Sequence, residues 1–332
     1  MKKTITFFNN KGGVGKTTMV YHIAWMLAEQ GKRVIVADFD PQSNLSAMFL
    51  TPDRLEEIIE AESNPLTVLD AITPITEGDR YLPVHIENIN DKIGLLVGDL
   101  ALSTFEDRLS DAWLKCLNAD IYSFRITSIF NTIINDARKR WEADFALVDI
   151  GPNLGAINRA VIISSDNIII PVASDLFSLQ GMKNLGKTLT DWKQGWDERC
   201  IKNPKPETLT IPNGEMQPTG YVVMQYTAKE KRPVKSYLKW ANRIPNVYRE
   251  FVLKTHEDSN TTVENDCHCI GLLKHYHSLA PMAMEAHKPI FLLKPADGAI
   301  GSHMYAVHKS YEDFDKIAKQ IVKISKQQNP CK

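Results

Sequence analysis

The strongest constraint on the fold of this chain is a glycine-rich loop between a predicted strand and a predicted helix. The strand covers residues 4–8, and the helix that follows carries an apolar stripe and ends at Gly31. Glycines let the backbone curl so that successive N–H groups point inward, and the helix N-terminus adds partial positive charge. A phosphate-binding loop requires this context, and the loop here consists of Gly12, Gly13, Val14, Gly15, Lys16, Thr17 and Thr18.

Three side chains of this loop suit a nucleoside triphosphate. Lys16 can neutralise the β and γ phosphates, the Thr17 hydroxyl can ligate Mg²⁺, and Thr18 can donate to the α phosphate. A glycine turn that binds nothing is the alternative interpretation, but the complete motif in the right context argues against it. The sequence therefore predicts a site for a triphosphate with Mg²⁺.

Strand and helix patterns alternate along the chain, which favours an α/β fold with a doubly wound, mostly parallel sheet and helices on both faces. We expect one P-loop domain over residues 1–328, with insertions near 51–92 and 196–219 and a short tail at 329–332. The further predicted strands cover residues 33–37, 95–97, 145–150, 167–172, 220–225 and 269–272. The later predicted helices cover residues 101–117, 122–141, 157–164, 179–192 and 310–325.

Composition and sequence pattern argue against a strongly basic nucleic-acid binder, a secreted disulfide-rich protein and a membrane-spanning protein. The 39 basic and 40 acidic residues leave a net charge of −1, so a nucleic-acid surface would have to come from local clusters. Five cysteines form no disulfide-like framework, and the N-terminus has no apolar signal core. No apolar stretch approaches the roughly 18 residues that span a bilayer. We therefore expect a cytoplasmic protein.

The residue before the glycines is the most specific feature of the loop. Because Lys11 precedes Gly12, the loop resembles the deviant Walker A box of the ParA and MinD ATPases, with its second, signature lysine. The resemblance implies that ATP and Mg²⁺ are the cofactors, and that two chains form an ATP-dependent sandwich homodimer. It also implies that Lys11 acts in trans on the partner's phosphates, where a cation would stabilise the charge that builds up during phosphoryl transfer.

Two further motifs match the same family. Residues 34–42 end in Asp-x-Asp-Pro-Gln, and residues 146–152 are similar to a Walker B strand. The resemblance implies that Asp40 orients or activates the attacking water, that Asp38 assists near the metal, and that Asp149 holds Mg²⁺ through water. Lys11, Lys16 and Asp40 would then be the catalytic residues, and Thr17, Asp38 and Asp149 the metal-binding ones. Pro152 is followed by Asn153, where the family often has a second proline.

The resemblance covers most of the chain and implies a short ParA type without a preceding helix-turn-helix domain. Such an ATPase would bind DNA nonspecifically, associate with the nucleoid, hydrolyse ATP slowly, and respond to a ParB-like stimulating or adaptor protein. Phosphate contacts need only clustered cations. The candidate DNA-binding residues are Lys231, Arg232, Lys235, Lys239 and Arg243 in one cluster, and Lys319 and Lys323 on the last helix.

Other functions stay open at this point. The same switch could act on a protein partner without DNA, and some P-loop relatives use ATP for ligase chemistry. A MinD-like membrane tail is disfavoured because residues 326–332 have almost no apolar face, so we expect no membrane binding. Cys267, Cys269, His275 and His277 could supply four zinc ligands, although their spacing is not a standard one.

Overall fold

The computed structural model describes residues 3–61, 66–79, 81–226, 239–255 and 261–326. Its centre is one eight-stranded sheet in the order β3-β4-β2-β5-β1-β6-β7-β8. Neighbouring strands are parallel, except that β3 runs antiparallel to β4. The strands are β1 Lys3–Phe7, β2 Val34–Asp38, β3 Glu87–Asn90, β4 Ile93–Leu96, β5 Phe145–Asp149, β6 Asn167–Ala173, β7 Gln217–Tyr226 and β8 Cys269–Lys274.

Helices cover both faces of this sheet. Ile35 and Ala37 of β2 belong to one buried cluster, whereas Val34 and Val36 belong to another, because alternate side chains of a strand point to opposite faces. The α/β, doubly wound, mostly parallel fold is thus confirmed. The helices are α1 Lys16–Glu29, α2 Asn44–Phe49, α3 Pro52–Ile59, α4 Val68–Thr76, α5 Glu106–Lys115, α6 Ile121–Thr127, α7 Ile129–Arg140, α8 Ala156–Ile163, α9 Leu176–Cys200, α10 Ile244–Val247, α11 Leu279–Glu285 and α12 Ser302–Ile324.

Several helix boundaries differ from the sequence prediction. The predicted helix at 101–117 is a 3-10 segment, Leu100–Phe105, followed by α5, and the predicted helix at 122–141 is divided into α6 and α7 at Ser128. Helix α9 continues well past residue 192, because Trp196 is fully buried and stacks on Trp113 with ring centroids 5.9 Å apart. Packing therefore overrides the weak helix propensity of the glycine in this stretch.

The two segments predicted as insertions differ in secondary structure. Residues 51–92 contain α3, α4 and the antiparallel edge strand β3. Residues 201–216 have neither helix nor strand and are mostly exposed up to residue 210. Among the residues that the structure describes, no helix is long and apolar enough to cross a bilayer.

A buried histidine joins α1 to the last part of the chain. His22 Nε2 accepts the N–H of Ile290 at 3.1 Å, so the proton lies on Nδ1, which donates to the Thr18 carbonyl oxygen at 2.7 Å. The ring stacks on Phe314 of α12 with centroids 4.7 Å apart. Burial lowers the pKa of His22 to about 4, although its hydrogen bond to Thr18 opposes this.

We expect this histidine to make the fold sensitive to acid. Its folded pKa of about 4 lies below the ordinary 6.5, so the unfolded chain binds the proton more readily between these values. The free energy of unfolding should therefore fall as pH drops from about 6.5 to about 4, by about 3 kcal/mol at most. Urea unfolding across this range would measure the loss. His22→Asn should remove this part of the pH dependence, whereas His308→Asn, at an exposed position, should not. Identical slopes in wild type and His22→Asn would contradict the assignment.

Candidate nucleotide-binding site

The glycine-rich loop lies at the carboxyl edge of the central strand β1, where ligands bind in open α/β sheets. Its start is fixed by Asn9, whose amide donates to the Pro171 carbonyl at 2.7 Å and whose Oδ1 accepts the Lys11 N–H at 3.0 Å. At its end, Gly15 has φ 84°, and a Cβ there would lie 2.8 Å from the Met224 methyl group. Only glycine fits this position without strain.

Lys16 begins α1 and is almost fully buried. Its Nζ donates to the Lys11 carbonyl oxygen at 3.5 Å, so the ammonium lies over the loop. Burial lowers the pKa of Lys16, while the charges of Asp149 and Asp40 act in the opposite direction. A buried ammonium with one long hydrogen bond is suited to an incoming anion.

Two carboxylates meet beside this lysine. Asp38 ends β2 and Asp149 ends β5, and the two residues are paired in the parallel register of these strands. Burial raises the pKa of Asp38 to about 7 against hydrogen bonds from Ser46, and burial followed by the Asp38 charge raises that of Asp149 well above its ordinary value. The Thr17 hydroxyl donates to Asp149 Oδ2 at 2.7 Å.

This donor set fits a divalent cation. Asp38 Oδ1 and Asp149 Oδ1 are buried and have no hydrogen-bond partner within the described part of the chain. Mg²⁺ usually takes one or two carboxylates and completes its shell with water and substrate phosphates. The residues that the sequence assigned to the metal, Thr17, Asp38 and Asp149, are thus brought together at one point.

Asp40 lies two residues beyond β2 and lines the same cavity as Lys16. It is 7% exposed, and its Oδ1 accepts the Gln42 N–H at 3.0 Å, which fixes the carboxylate plane. It also approaches the loop after β5, since a Cβ built on Gly151 would lie 3.2 Å from Asp40 Oδ1. The carboxylate therefore stands between the glycine-rich loop and the loop after Asp149.

Lys11 points away from this cavity. Its Nζ forms an ion pair with Asp175 Oδ2 at 2.7 Å and donates to Ser178 Oγ at 3.1 Å, both at the start of α9. Burial alone would raise the pKa of Asp175, but hydrogen bonds from Lys11 and Ser178 outweigh it and lower the pKa. Sequence reasoning assigned no role to Asp175 or Ser178, although an Asp three residues before a Ser at a helix start is a capping pattern.

The cavity has a volume of about 670 Å³ and extends from the glycine-rich loop to an apolar end. Leu273 and Tyr276 line that end, at the carboxyl end of β8, while Met224 of β7 lines the cavity beside Gly15. A cavity with charged groups at one end and apolar side chains at the other suits a nucleotide. The sequence did not predict the apolar wall, because its residues come from segments far apart in the chain.

The candidate DNA-binding cations have different surroundings. Lys239 and Arg243 are exposed and lie over the Trp240 ring, 5.0 and 5.3 Å from its centroid. On α12, Lys319 pairs with Asp315 at 2.7 Å, and Lys323 is exposed. Lys231, Arg232 and Lys235, like the predicted tail 329–332, lie outside the described residues.

The candidate zinc ligands do not form a metal site. Within residues 3–61, 66–79, 81–226, 239–255 and 261–326, no group of three or more His, Cys, Asp or Glu could hold a metal ion. Cys267 is disulfide-bonded, which its spacing did not predict, so its sulfur is not free to bind zinc. Cys269 is a free thiol on β8.

Comparison with known proteins defines the class. Residues 2–200 match the AAA_31 family, described as an AAA domain. An uncharacterized protein of Methanocaldococcus jannaschii is 28% identical over 243 residues, covering 73% of this chain and 81% of the relative. The chromosome-partitioning ATPase Soj of Treponema pallidum is 29% identical over 199 residues, covering 59% and 66%. A crystal structure of a Corynebacterium diphtheriae protein has a TM-score of 0.67 at 28% identity, covering 86% and 97%.

The chain therefore belongs to the AAA_31 family of P-loop ATPases. More particularly, it is a ParA-like member of the ParA/MinD superfamily, as the second lysine of its loop predicted.

Proposed function

We propose that this chain is a switch ATPase that hydrolyses ATP slowly with Mg²⁺, dimerises when ATP is bound, and holds DNA nonspecifically in DNA partition or cargo positioning. The observation that carries the proposal is one glycine-rich loop with two lysines, Lys11 and Lys16, beside the buried acids Asp38 and Asp149. Family membership supports nucleotide hydrolysis, and the Treponema relative is named for chromosome partitioning.

The chain's own groups can be assigned to the steps of hydrolysis. Lys16 and the N–H groups of residues 12–18 would hold the phosphates, while Tyr276 would face the base. Thr17, Asp38 and Asp149 would hold Mg²⁺, which supplies charge neutralisation on the phosphates when bound. Asp40 would orient the attacking water and accept its proton, because its carboxylate is fixed beside Lys16 in the same cavity.

The surface around Lys11 supports a dimer. Leu176 and Phe177 follow the ion-paired Asp175 and are 51% and 76% exposed, and Leu154 is exposed on the loop beside the glycines. Large exposed apolar side chains next to a functional loop are typical of an interface. Since Lys11 does not line the cavity of its own chain, its ammonium is available to a partner once the pair with Asp175 opens.

The DNA surface is proposed for the segment that contains Lys239 and Arg243. These two exposed cations flank an aromatic ring, whereas the α12 lysines alternate with Glu312, Asp313 and Asp315, which reduces their local positive charge. We also propose a ParB-like stimulating or adaptor protein as a partner, retention at the nucleoid in the cytoplasm, and no membrane binding. A single domain over residues 1–328 completes the proposal, supported by the one sheet that β1–β8 form.

DNA binding by the full chain in the presence of ATP tests this function. We expect retention of nonspecific duplex DNA with ATP, an affinity that falls steeply with salt, and no retention by Lys16→Ala. Arg243→Ala should weaken binding to all sequences about equally and reduce the salt slope by about one. Lys319→Ala, which removes a cation already paired with Asp315, should have a smaller effect. Fluorescence anisotropy over a salt series measures both quantities.

Two outcomes would contradict the DNA proposal. If wild type with ATP fails to retain DNA even at low salt, the switch acts on a protein partner without DNA. If Lys319→Ala has the larger effect, the DNA surface lies on α12 instead.

A further inference from the structure

The N-terminus of α8 is capped by a side chain from another helix. Gly155 precedes the helix and has no side chain to accept its free N–H groups. The N–H groups of Ala156 and Ile157 instead donate to the carboxylate of Glu106, the first residue of α5, with a distance of 3.0 Å for Ile157. An anion at this place also interacts favourably with the helix dipole.

One further contact joins α5 and α8 beyond this cap. Gly155 allows the Glu106 carboxylate to approach, since a Cβ at that position would overlap it. One turn further along α8, the Arg159 guanidinium carbon lies 4.3 Å from the Trp113 ring centroid of α5. Helix α5 therefore holds α8 at two points, the N-terminus and the first turn, and so fixes its position and its direction.

The loop before α8, residues 151–154, is bound to the same helix. The Asn158 amide donates to the carbonyl oxygens of Gly151 and Asn153 at 2.8 and 2.7 Å. Asn153 Oδ1 in turn accepts the Gly155 N–H at 2.9 Å. Since these bonds connect the loop to the first turn of α8, the loop moves only if that turn moves.

The opposite side of this loop faces the candidate phosphate site. A Cβ built on Gly12 would lie 3.9 Å from Pro152 Cγ, and one built on Gly151 would lie 3.2 Å from Asp40 Oδ1. The position of α8 therefore sets the distance of this loop from the glycine-rich loop and from Asp40.

We propose that Glu106 is a positioning residue for the terminal phosphate of the nucleotide, acting through α8 and the loop 151–154. The inference rests on the proposed function and deepens it, because it names what distinguishes ATP from ADP in this chain. The base would lie against Tyr276 and the first two phosphates against residues 12–18, so ADP binding would not need the loop 151–154. The third phosphate would reach that loop, because Pro152 lines the same cavity as residues 12–18 and γ-phosphates contact the switch loops of other P-loop proteins.

Calorimetric titration of the full chain with ADP and with a nonhydrolysable ATP analogue tests the inference. We expect Glu106→Ala to bind the ATP analogue about five- to tenfold more weakly, the effect of losing one helix cap, and to bind ADP as wild type does. Glu106→Gln keeps an acceptor oxygen and should show an intermediate loss for the analogue. Asp107→Ala removes the exposed neighbouring acid of the same helix turn and should change neither affinity.

The outcomes separate this inference from the function on which it rests. An equal loss of ADP and analogue affinity in Glu106→Ala or Glu106→Gln would mean that the residue only supports the fold, and an unchanged analogue affinity would mean that it does not position the loop. Either result would contradict the inference about Glu106 but not the proposed ATPase function. A wild-type chain that binds neither nucleotide would overturn both.

Discussion

Replacing Asp40 by alanine is expected to lower the rate of ATP hydrolysis by roughly 10²- to 10⁴-fold, the contribution of a positioned general base. The carboxylate is buried, is fixed by the Gln42 N–H at 3.0 Å, and lies in the same cavity as Lys16. ATP affinity should not fall, because the substitution removes a negative charge from beside a polyanion. Phosphate release and nucleotide binding, measured on the same preparation with Mg²⁺, give the two quantities.

Asp40→Asn separates the charge of this residue from its shape. The amide keeps the volume and the acceptor oxygen for Gln42, but it cannot take a proton from water. We expect Asn and Ala variants to be equally slow, and Asp53→Ala, at an exposed position, to hydrolyse ATP as wild type does. Turnover of Asp40→Ala at the wild-type rate would remove Asp40 from the mechanism.

Replacing Lys11 by alanine is expected to abolish ATP-dependent dimerisation while each chain still binds nucleotide. In a symmetric dimer the contact occurs twice, and a hydrogen bond to a charged group contributes about 1.5–3 kcal/mol, so the dimer dissociation constant should rise roughly 10²- to 10⁴-fold. Nucleotide affinity should persist because Lys11 Nζ binds Asp175, not the cavity of its own chain. Light scattering with a nonhydrolysable ATP analogue measures the dimer.

Two variants control for the local fold in this experiment. Asp175→Asn removes the charge that holds Lys11 and should leave dimerisation intact or stronger, whereas Lys115→Ala removes an exposed lysine of α5 and should have no effect. A Lys11→Ala chain that dimerises like wild type would contradict the proposal that the lysine acts across an interface.

The sequence predicted which acids lie side by side where their proximity depends on position within a strand. Asp38 and Asp149 end neighbouring parallel strands, and the carboxyl ends of such strands meet at one edge of the sheet. The phosphate loop was likewise recognisable, because its geometry depends on a local pattern of glycines.

The sequence did not predict contacts between segments far apart in the chain. Lys11 meets Asp175, His22 meets Ile290, and Glu106 meets the start of α8. Hydrophobic periodicity indicates which side of a helix is buried but not which side chain it faces. The length of α9 was underestimated for the same reason, since the Trp113–Trp196 stack that extends it is a tertiary contact.

The 25 residues of α9 make a rod about 37 Å long. One end carries the ion pair of Asp175 with the signature lysine, and at the other end Arg199 donates to the Trp113 carbonyl oxygen at 2.6 Å. A tilt of about 5° at the first end would displace the second by about 3 Å over that length. If the lysine exchanges its carboxylate for a phosphate, as proposed, a rigid tilt of this helix would move the Arg199 end by that distance.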